Sequence, residues 1–203
     1  DSTNDGISFN SGVTLQNGIT ISTGLFAGDD ILFNSTLNGT ATGAQTLGLT
    51  AGAGNITLTE AVGETTPLGA ITISSANDVT AAAITAASLK QTTGQGTTTL
   101  SGLQNYNTAA GLNVVTDTIS LQNTVTTTTG SGGIVTLNAN NLGGVGAGTL
   151  TIGSAGDITS DDVVSLTGAS GISTAGDVTT TGDVVSYNSA TTLTGGVLVD
   201  TTS

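Results

Sequence analysis

The stretch DGISFNSGVTLQNGITIS at Asp5–Ser22 decides the fold, because apolar pairs recur in it every six residues. Within each pair, one polar residue separates two apolar residues, which is the alternation of a half-buried β-strand. Asn, Ser and Gly lie between the pairs and favour tight turns. The pattern predicts short strands joined by corners, at Ile7/Phe9, Val13/Leu15 and Ile19/Ile21, with a weaker fourth pair at Leu25/Ala27.

Copies of one short motif indicate an internal repeat, namely DGISFNS at Asp5–Ser11, DDILFNS at Asp29–Ser35 and DVVSYNS at Asp183–Ser189. The first two copies start 24 residues apart, which suits one turn of a solenoid with three or four strands. A second match aligns Gly156–Leu166 with Gly176–Tyr187. We expect turns of about 20 to 25 residues, and nine or so turns would form a rod about 40 Å long.

These repeats predict an all-β fold, a single parallel β-solenoid (β-helix) over residues 1–203 without polar end caps. If a second copy followed the chain, the motif at Asp183 and the next motif at Asp5 would start about 25 residues apart. This spacing is close to one internal turn. We therefore expect one unit of a head-to-tail array, since an open solenoid end exposes unpaired strand edges that favour stacking.

The composition excludes several classes of function. The chain has a formal net charge of −13, no Cys and no His, and Lys90 is its single basic residue. Nucleic acids and anionic lipids would repel such a chain, and thiolate or imidazole metal sites cannot form. No apolar run approaches the roughly 20 residues that span a bilayer, and the N-terminal stretch shows no signal-peptide pattern. We expect no nucleic-acid partner, no membrane insertion and a mature or excised piece of an exported protein.

Carboxylates are the main candidates for chemistry. Asp161 and Asp162, together with Asp157 or Asp183, resemble the acidic pairs that supply acid and base in polysaccharide hydrolysis. Sugar-cleaving grooves also need aromatic platforms, but aromatic residues make up only 2% of this chain. We expect no enzyme activity and assign no catalytic or cofactor-binding residue.

Calcium is the stronger of the ligand hypotheses, because hard cations favour carboxylate oxygens at turns. The candidate ligands lie beside glycine or beside each other: Asp29, Asp30, Asp157, Asp161, Asp162, Asp177 and Asp183. No Asp-x-Asp-x-Asp-Gly loop is present. The favoured interpretation is that these residues cap turns through local hydrogen bonds and keep the rod soluble. The metal ligands therefore stay unassigned, and a chelator melt would distinguish the two hypotheses.

Asn and Thr suggest structural roles. Asn10, Asn34 and Asn188 follow an aromatic residue in each motif copy, which predicts a stacked asparagine ladder. Threonines at Thr57/Thr59 and Thr97/Thr99 have the spacing of an ice-binding face, but drift in turn length argues against a regular lattice. We expect these threonines to serve as β-formers on a solvated face. Asn34, Asn38 and Asn55 lie in glycosylation sequons of unknown use.

The runs GNITLT at Gly54–Thr59 and GAITIS at Gly69–Ser74, and the stretch from Gly156 to Gly196, resemble repeats of large bacterial exoproteins related to filamentous haemagglutinin. The likeness covers nearly the whole chain. It implies a right-handed parallel β-helix. Members of that family carry an N-terminal secretion domain with Asn-Pro-Asn motifs, whereas the only proline here is Pro67.

The repeats and the resemblance together predict a structural protein. We expect a component of an extracellular filament or a cell-surface adhesin stalk that assembles end to end with copies of itself. The alternative is a calcium-binding or glycan-binding adhesive module, with cell-surface glycans as partners. Polysaccharide hydrolysis is the least favoured alternative.

Overall fold

The computed structural model describes residues 5–127, 133–140 and 147–202. Over these residues the chain contains strands and turns but no helix, and therefore no helix that is long and apolar enough to cross a membrane. All strand pairs are parallel, and they stack into a β-solenoid of about eight turns. The predicted all-β parallel solenoid is confirmed. The right-handed sense of its coil and its place in a longer array stay predictions.

Most strands are three to five residues long and are separated by corners. In chain order they are β1 (Ile7–Phe9), β2 (Val13–Leu15), β3 (Ile19–Ser22), β4 (Ile31–Phe33), β5 (Leu37–Gly39), β6 (Leu47–Thr50), β7 (Ile56–Leu58), β8 (Leu68–Ser75), β9 (Val79–Ala81), β10 (Ile84–Gln91), β11 (Thr97–Leu100), β12 (Gln104–Tyr106), β13 (Leu112–Thr116), β14 (Thr118–Leu121), β15 (Val125–Thr127), β16 (Val135–Ala139), β17 (Thr149–Ile152), β18 (Ile158–Ser160), β19 (Val164–Gly168), β20 (Gly171–Thr174), β21 (Val178–Thr180), β22 (Val185–Tyr187), β23 (Thr191–Leu193) and β24 (Val199–Asp200).

The strands form three faces. Face A is a nine-stranded sheet in the order β1-β4-β7-β9-β11-β14-β17-β20-β23. Face B contains β2, β5, the first part of β10, and then β12, β15, β18, β21 and β24. Face C contains β3, β6, β8, the second part of β10, and then β13, β16, β19 and β22. Because β10 bends around a corner and pairs on both sides of it, faces B and C join into one sheet.

The core is a set of aliphatic columns that run along the rod. Strand alternation places every second side chain inward, and parallel in-register pairing places each inward side chain above its equivalent in the previous turn. On face A one such column runs through Ile31, Ile56 and Val79, all at most 1% exposed. The rings of Phe9 and Phe33 stack with centroids 4.6 Å apart. The predicted inward pairs of the first turn are therefore confirmed as β1, β2 and β3.

The fourth apolar pair of the first turn is not a strand. Leu25 is 77% exposed, and Ala27 lies in the same exposed loop between β3 and β4. The reason is geometric, because three faces close the turn and leave no side for a fourth strand. The predicted range of turn lengths was also too narrow. Equivalent residues lie 19 apart between Val79 and Thr98 and 31 apart between Ile119 and Leu150.

One of the two repeat alignments is confirmed and the other is wrong in part. The match of Gly156–Leu166 with Gly176–Tyr187 corresponds to real stacking, since Ile158 pairs with Val178 and Val164 with Val185. The motif at Asp183, however, is out of phase with the copies at Asp5 and Asp29. Those two copies form β1 and β4 on face A, whereas the third forms β22 on face C. The spacing of about 25 residues therefore does not compare equivalent strands.

Candidate functional site at the coil corners

A ladder of Asp and Asn side chains lies at the corner that leads into face A. The Asp30 carboxylate accepts the backbone N–H of Asn55 at 2.6 Å. The Asn55 side-chain oxygen accepts the N–H of Asp78 at 3.1 Å, and the Asp78 carboxylate accepts the N–H of Thr97 at 2.6 Å. Each side chain thus binds the backbone of the next turn at the same position of the coil. The ladder joins four successive turns at a corner, where regular strand pairing is interrupted.

A second ladder occupies the corner before face B. The Asp157 carboxylate accepts the N–H of Asp177 at 2.9 Å, and the Asp177 carboxylate accepts the N–H of Leu198 at 2.7 Å. These two residues were candidate calcium ligands. Their observed partners are backbone N–H groups 20 and 21 residues away on the next turn, and not the local donors of a turn cap that the sequence interpretation favoured. The ladders themselves were not predicted, although a signal was present in the sequence. An Asp or Asn stands directly before the first inward residue of each of these five strands, namely before Ile31, Ile56, Val79, Ile158 and Val178.

Asp78 provides a direct test of the ladder. Asp78→Ala removes the acceptor for Thr97 N–H, so we expect the free energy of unfolding to fall by about 2 kcal/mol. Asp78→Asn keeps a side-chain oxygen at the same place and is expected to change it by less than about 0.5 kcal/mol. Urea denaturation of the three proteins measures both values. Equal losses in both variants would mean that the negative charge, rather than the hydrogen bond, stabilises this corner.

Asp29 is the most buried of the candidate calcium ligands, at 1% exposure. Its carboxylate accepts the N–H of Phe26 at 2.8 Å and the N–H of Asp5 at 3.1 Å. The hydroxyl of Thr23 donates to the Asp29 backbone carbonyl. Asp29 therefore closes the exposed loop between β3 and β4 and ties it to the first turn.

The residues considered for hydrolysis do not all lie together, because Asp157 lies apart whereas Asp162 and Asp183 each stand two residues before the paired Val164 and Val185 of neighbouring turns. Asp157 precedes β18, whereas Asp161 and Asp162 follow it, so the backbones of Asp157 and Asp161 are about 13 Å apart along the strand. Asp161 accepts the hydroxyl of Thr181 at 3.1 Å, and Asp162 accepts the N–H of Val163 at 2.7 Å. Asp183 lies near the next turn's corner, where its backbone carbonyl accepts the Thr180 hydroxyl at 2.6 Å.

Within the described ranges, no three Asp or Glu side chains form a group that could surround a metal ion. The seven candidate calcium ligands are instead spread over three corners of the coil. Their carboxylates mostly accept backbone N–H groups, as described above. This geometry favours a stabilising role for the acidic residues, and calcium binding stays an untested hypothesis.

The asparagine ladder is confirmed for two of its three predicted members. The Asn34 side-chain amide donates to the Asn10 side-chain oxygen at 2.7 Å. Asn188 lies on a different face because of the phase error described above, and its amide donates to the hydroxyls of Ser165 and Thr167. Of the sequon residues, Asn38 accepts the N–H groups of Thr65 and Thr66, and Asn55 belongs to the corner ladder.

The remaining predicted features lie on the surface or in the core. Lys90 is exposed on face C, in register with Thr72 and Asn113. Thr57, Thr97 and Thr99 point outward from face A, in line with their expected role on a solvated face. Phe26 is 49% exposed in the loop after β3 and does not occupy a repeat position.

Tyr106 forms a buried polar network that the sequence did not reveal. Its hydroxyl donates to the Gln104 side-chain oxygen at 2.8 Å, and the Gln104 amide donates to the backbone carbonyls of Ala82 and Gly102. Burial strongly raises the pKa of Tyr106. Burial and, to a smaller extent, the charge of Asp177 raise the pKa of Tyr187, which is half-buried.

These shifts predict alkaline instability. The unfolded chain ionises its tyrosines near pH 10, but folded Tyr106 stays neutral at that pH. Its contribution is therefore complete below pH 10 and is lost as the pH rises above it, by up to about 1.4 kcal/mol per pH unit. Tyr106→Phe is expected to flatten this slope between pH 10 and 11.5 in urea denaturation. Tyr187→Phe is the matched variant, because it removes the other, half-buried tyrosine. An unchanged slope of stability against pH in Tyr106→Phe would contradict the prediction.

No known protein family, curated protein or solved structure matches this chain. The parallel solenoid supports the general resemblance to β-helical repeat proteins. The finer resemblance to exoproteins of the filamentous haemagglutinin type has no support from these comparisons.

Proposed function

We propose that this chain is a structural segment of an extracellular filament or a cell-surface adhesin stalk, extended by continuation of its solenoid. The observation that carries the proposal is an open core in the last described turn. Leu193 occupies an inward position in register with buried Thr174, yet it is 61% exposed. Val199, in register with buried Val178, is 46% exposed. A further turn would cover both side chains.

Backbone hydrogen bonding supports the same conclusion. In every inner turn of face A, each strand pairs with one strand on either side, whereas β1 and β23 pair on one side only. Unpaired parallel edges are templates for another strand. The neighbouring turn can belong to the same polypeptide or to another copy, and the same pairing would serve in both cases.

The chemistry of the acidic residues supports a structural role over catalysis or cation binding. Asp30, Asp78, Asp157 and Asp177 use their carboxylates to hold the backbone of the next turn. The net charge of −13 keeps a long rod with otherwise uncharged strands soluble, as an extracellular protein requires. Copies of the chain are thus the proposed partners.

Sedimentation and electron microscopy of the purified chain test this function. We expect association that increases with concentration, and fibres whose axial repeat matches about eight turns, or about 38 Å. The spacing follows from strands stacked about 4.8 Å apart. A protein that stays monomeric and folded at every concentration up to the millimolar range would contradict non-covalent end-to-end assembly.

A further inference from the structure

Face A carries an array of hydroxyl groups that the structural role does not require. Its outward positions are aligned by the pairing of neighbouring strands. From β7 to β23 every central outward residue is a threonine or serine: Thr57, Thr80, Thr99, Ser120, Thr151, Ser173 and Thr192. The column therefore presents one hydroxyl per turn, with a repeat of about 4.8 Å along the rod.

Over three successive turns a second column runs beside the first. Thr97, Thr118 and Thr149 lie two residues before Thr99, Ser120 and Thr151 on the same strands. Residues two apart on a strand are separated by about 6.7 Å. The two columns form a rectangular grid of hydroxyl groups, and these two spacings are close to the oxygen repeats on a prism face of hexagonal ice.

The drift in turn length does not disturb this grid. The lengths of the turns differ by up to a dozen residues, yet no register shift interrupts the pairing of strands on face A. The extra residues lie between the strands. Face C, in contrast, has a register shift between β6 and β8 and carries Lys90 among its outward residues. The argument from irregular turns against an ordered-water lattice therefore does not apply to face A.

Charge and shape distinguish face A as well. Neither column contains a charged side chain from Thr97 to Thr192, and no aromatic ring is present for stacking on a sugar. A shallow, open depression lies beside the central column near Thr151, Ser173 and Thr192, where Gly171 follows Thr149 in the second column. On face B, Asp157 and Asp177 occupy the places beside the outward column.

We infer that face A binds ice, with threonine and serine hydroxyls of β11, β14, β17, β20 and β23 replacing water molecules at the crystal surface. Threonine suits this role because its hydroxyl bonds to the lattice, while its methyl group fills the space between lattice waters. A rigid parallel sheet holds the grid in place before contact, so little conformational entropy is lost on binding. The site needs one molecule only, so it is independent of end-to-end assembly.

Ice recrystallisation inhibition by the dilute, purified chain is the direct test. We expect inhibition at micromolar concentration, and capture of the chain by a growing ice surface. Thr151→Tyr places a large side chain in the centre of the grid, and we expect it to require at least a tenfold higher concentration. Tyrosine is a good β-former, so the strand should persist.

Thr159→Tyr is the matched control, because Thr159 is exposed at the centre of β18 in the same turn but on face B. It should inhibit recrystallisation as well as the unmodified chain does. Circular dichroism melts establish that each protein is folded. A folded unmodified chain that neither inhibits recrystallisation nor enters ice would overturn the inference, and so would equal losses in both variants.

Discussion

Leu137→Asp is expected to destroy the cooperative unfolding of the rod, at a cost of more than about 4 kcal/mol. Leu137 is fully buried in β16 and stacks between Val114 and Leu166 of the neighbouring turns. A carboxylate there has no charged partner among the surrounding aliphatic columns. Because each turn of a solenoid contacts mainly its neighbours, the damage separates the turns before β16 from those after it.

Thr136→Asp is the matched control for this experiment. Thr136 lies on the same strand but points outward, and both substitutions add one negative charge. We expect it to change the free energy of unfolding by less than about 1 kcal/mol. In urea denaturation, only Leu137→Asp should show two transitions. In limited proteolysis, only Leu137→Asp should be cleaved selectively near β16. A single transition at the unmodified midpoint would contradict the assignment of this column to the core.

Leu193→Lys is expected to raise the concentration needed for assembly at least 100-fold. Leu193 lies at the open end of the core, where the proposed next turn would cover it. An ammonium group at this place would become buried without a partner, and a cost of about 3 kcal/mol corresponds to roughly two orders of magnitude in affinity. Because Leu193 is already exposed, the fold of the isolated chain should be retained.

Thr192→Lys separates position from charge in the assembly experiment. Thr192 is the neighbouring residue of β23 and points outward from face A, so its lysine stays in solvent when the next turn is added. We expect sedimentation velocity to show normal association for Thr192→Lys and monomers for Leu193→Lys. Equal association of the two variants would exclude contact through this end of the core.

The sequence predicted the strands better than it predicted their place in the coil. Alternation and corner residues are local signals, so pairs such as Ile7/Phe9 and Ile19/Ile21 became strands as expected. The phase of a strand depends on the number of corners that precede it. Turn length drifts, and one strand-plus-corner motif can serve any face, which is why the copy at Asp183 was assigned to the wrong one.

The candidate site shows the same division between local and long-range information. From residue type and neighbours, Asp157 and Asp177 were expected to cap turns through local hydrogen bonds. The partners of these side chains lie 20 and 21 residues away, on the next turn, so the ladders required the register. The buried pair of Tyr106 and Gln104 was hidden for another reason, because a glutamine on an inward position looks like a break in the apolar pattern.

The parallel stacking of face A also determines how this molecule would respond to tension. Its interstrand hydrogen bonds lie roughly along the rod, so a force applied at the two ends opens them one after another instead of shearing a whole sheet at once. Each turn of about 22 residues that peels away releases about 70 Å of extended chain. A tether built from such turns would lengthen in small steps under load, dissipating energy at every step while the remaining turns stay folded.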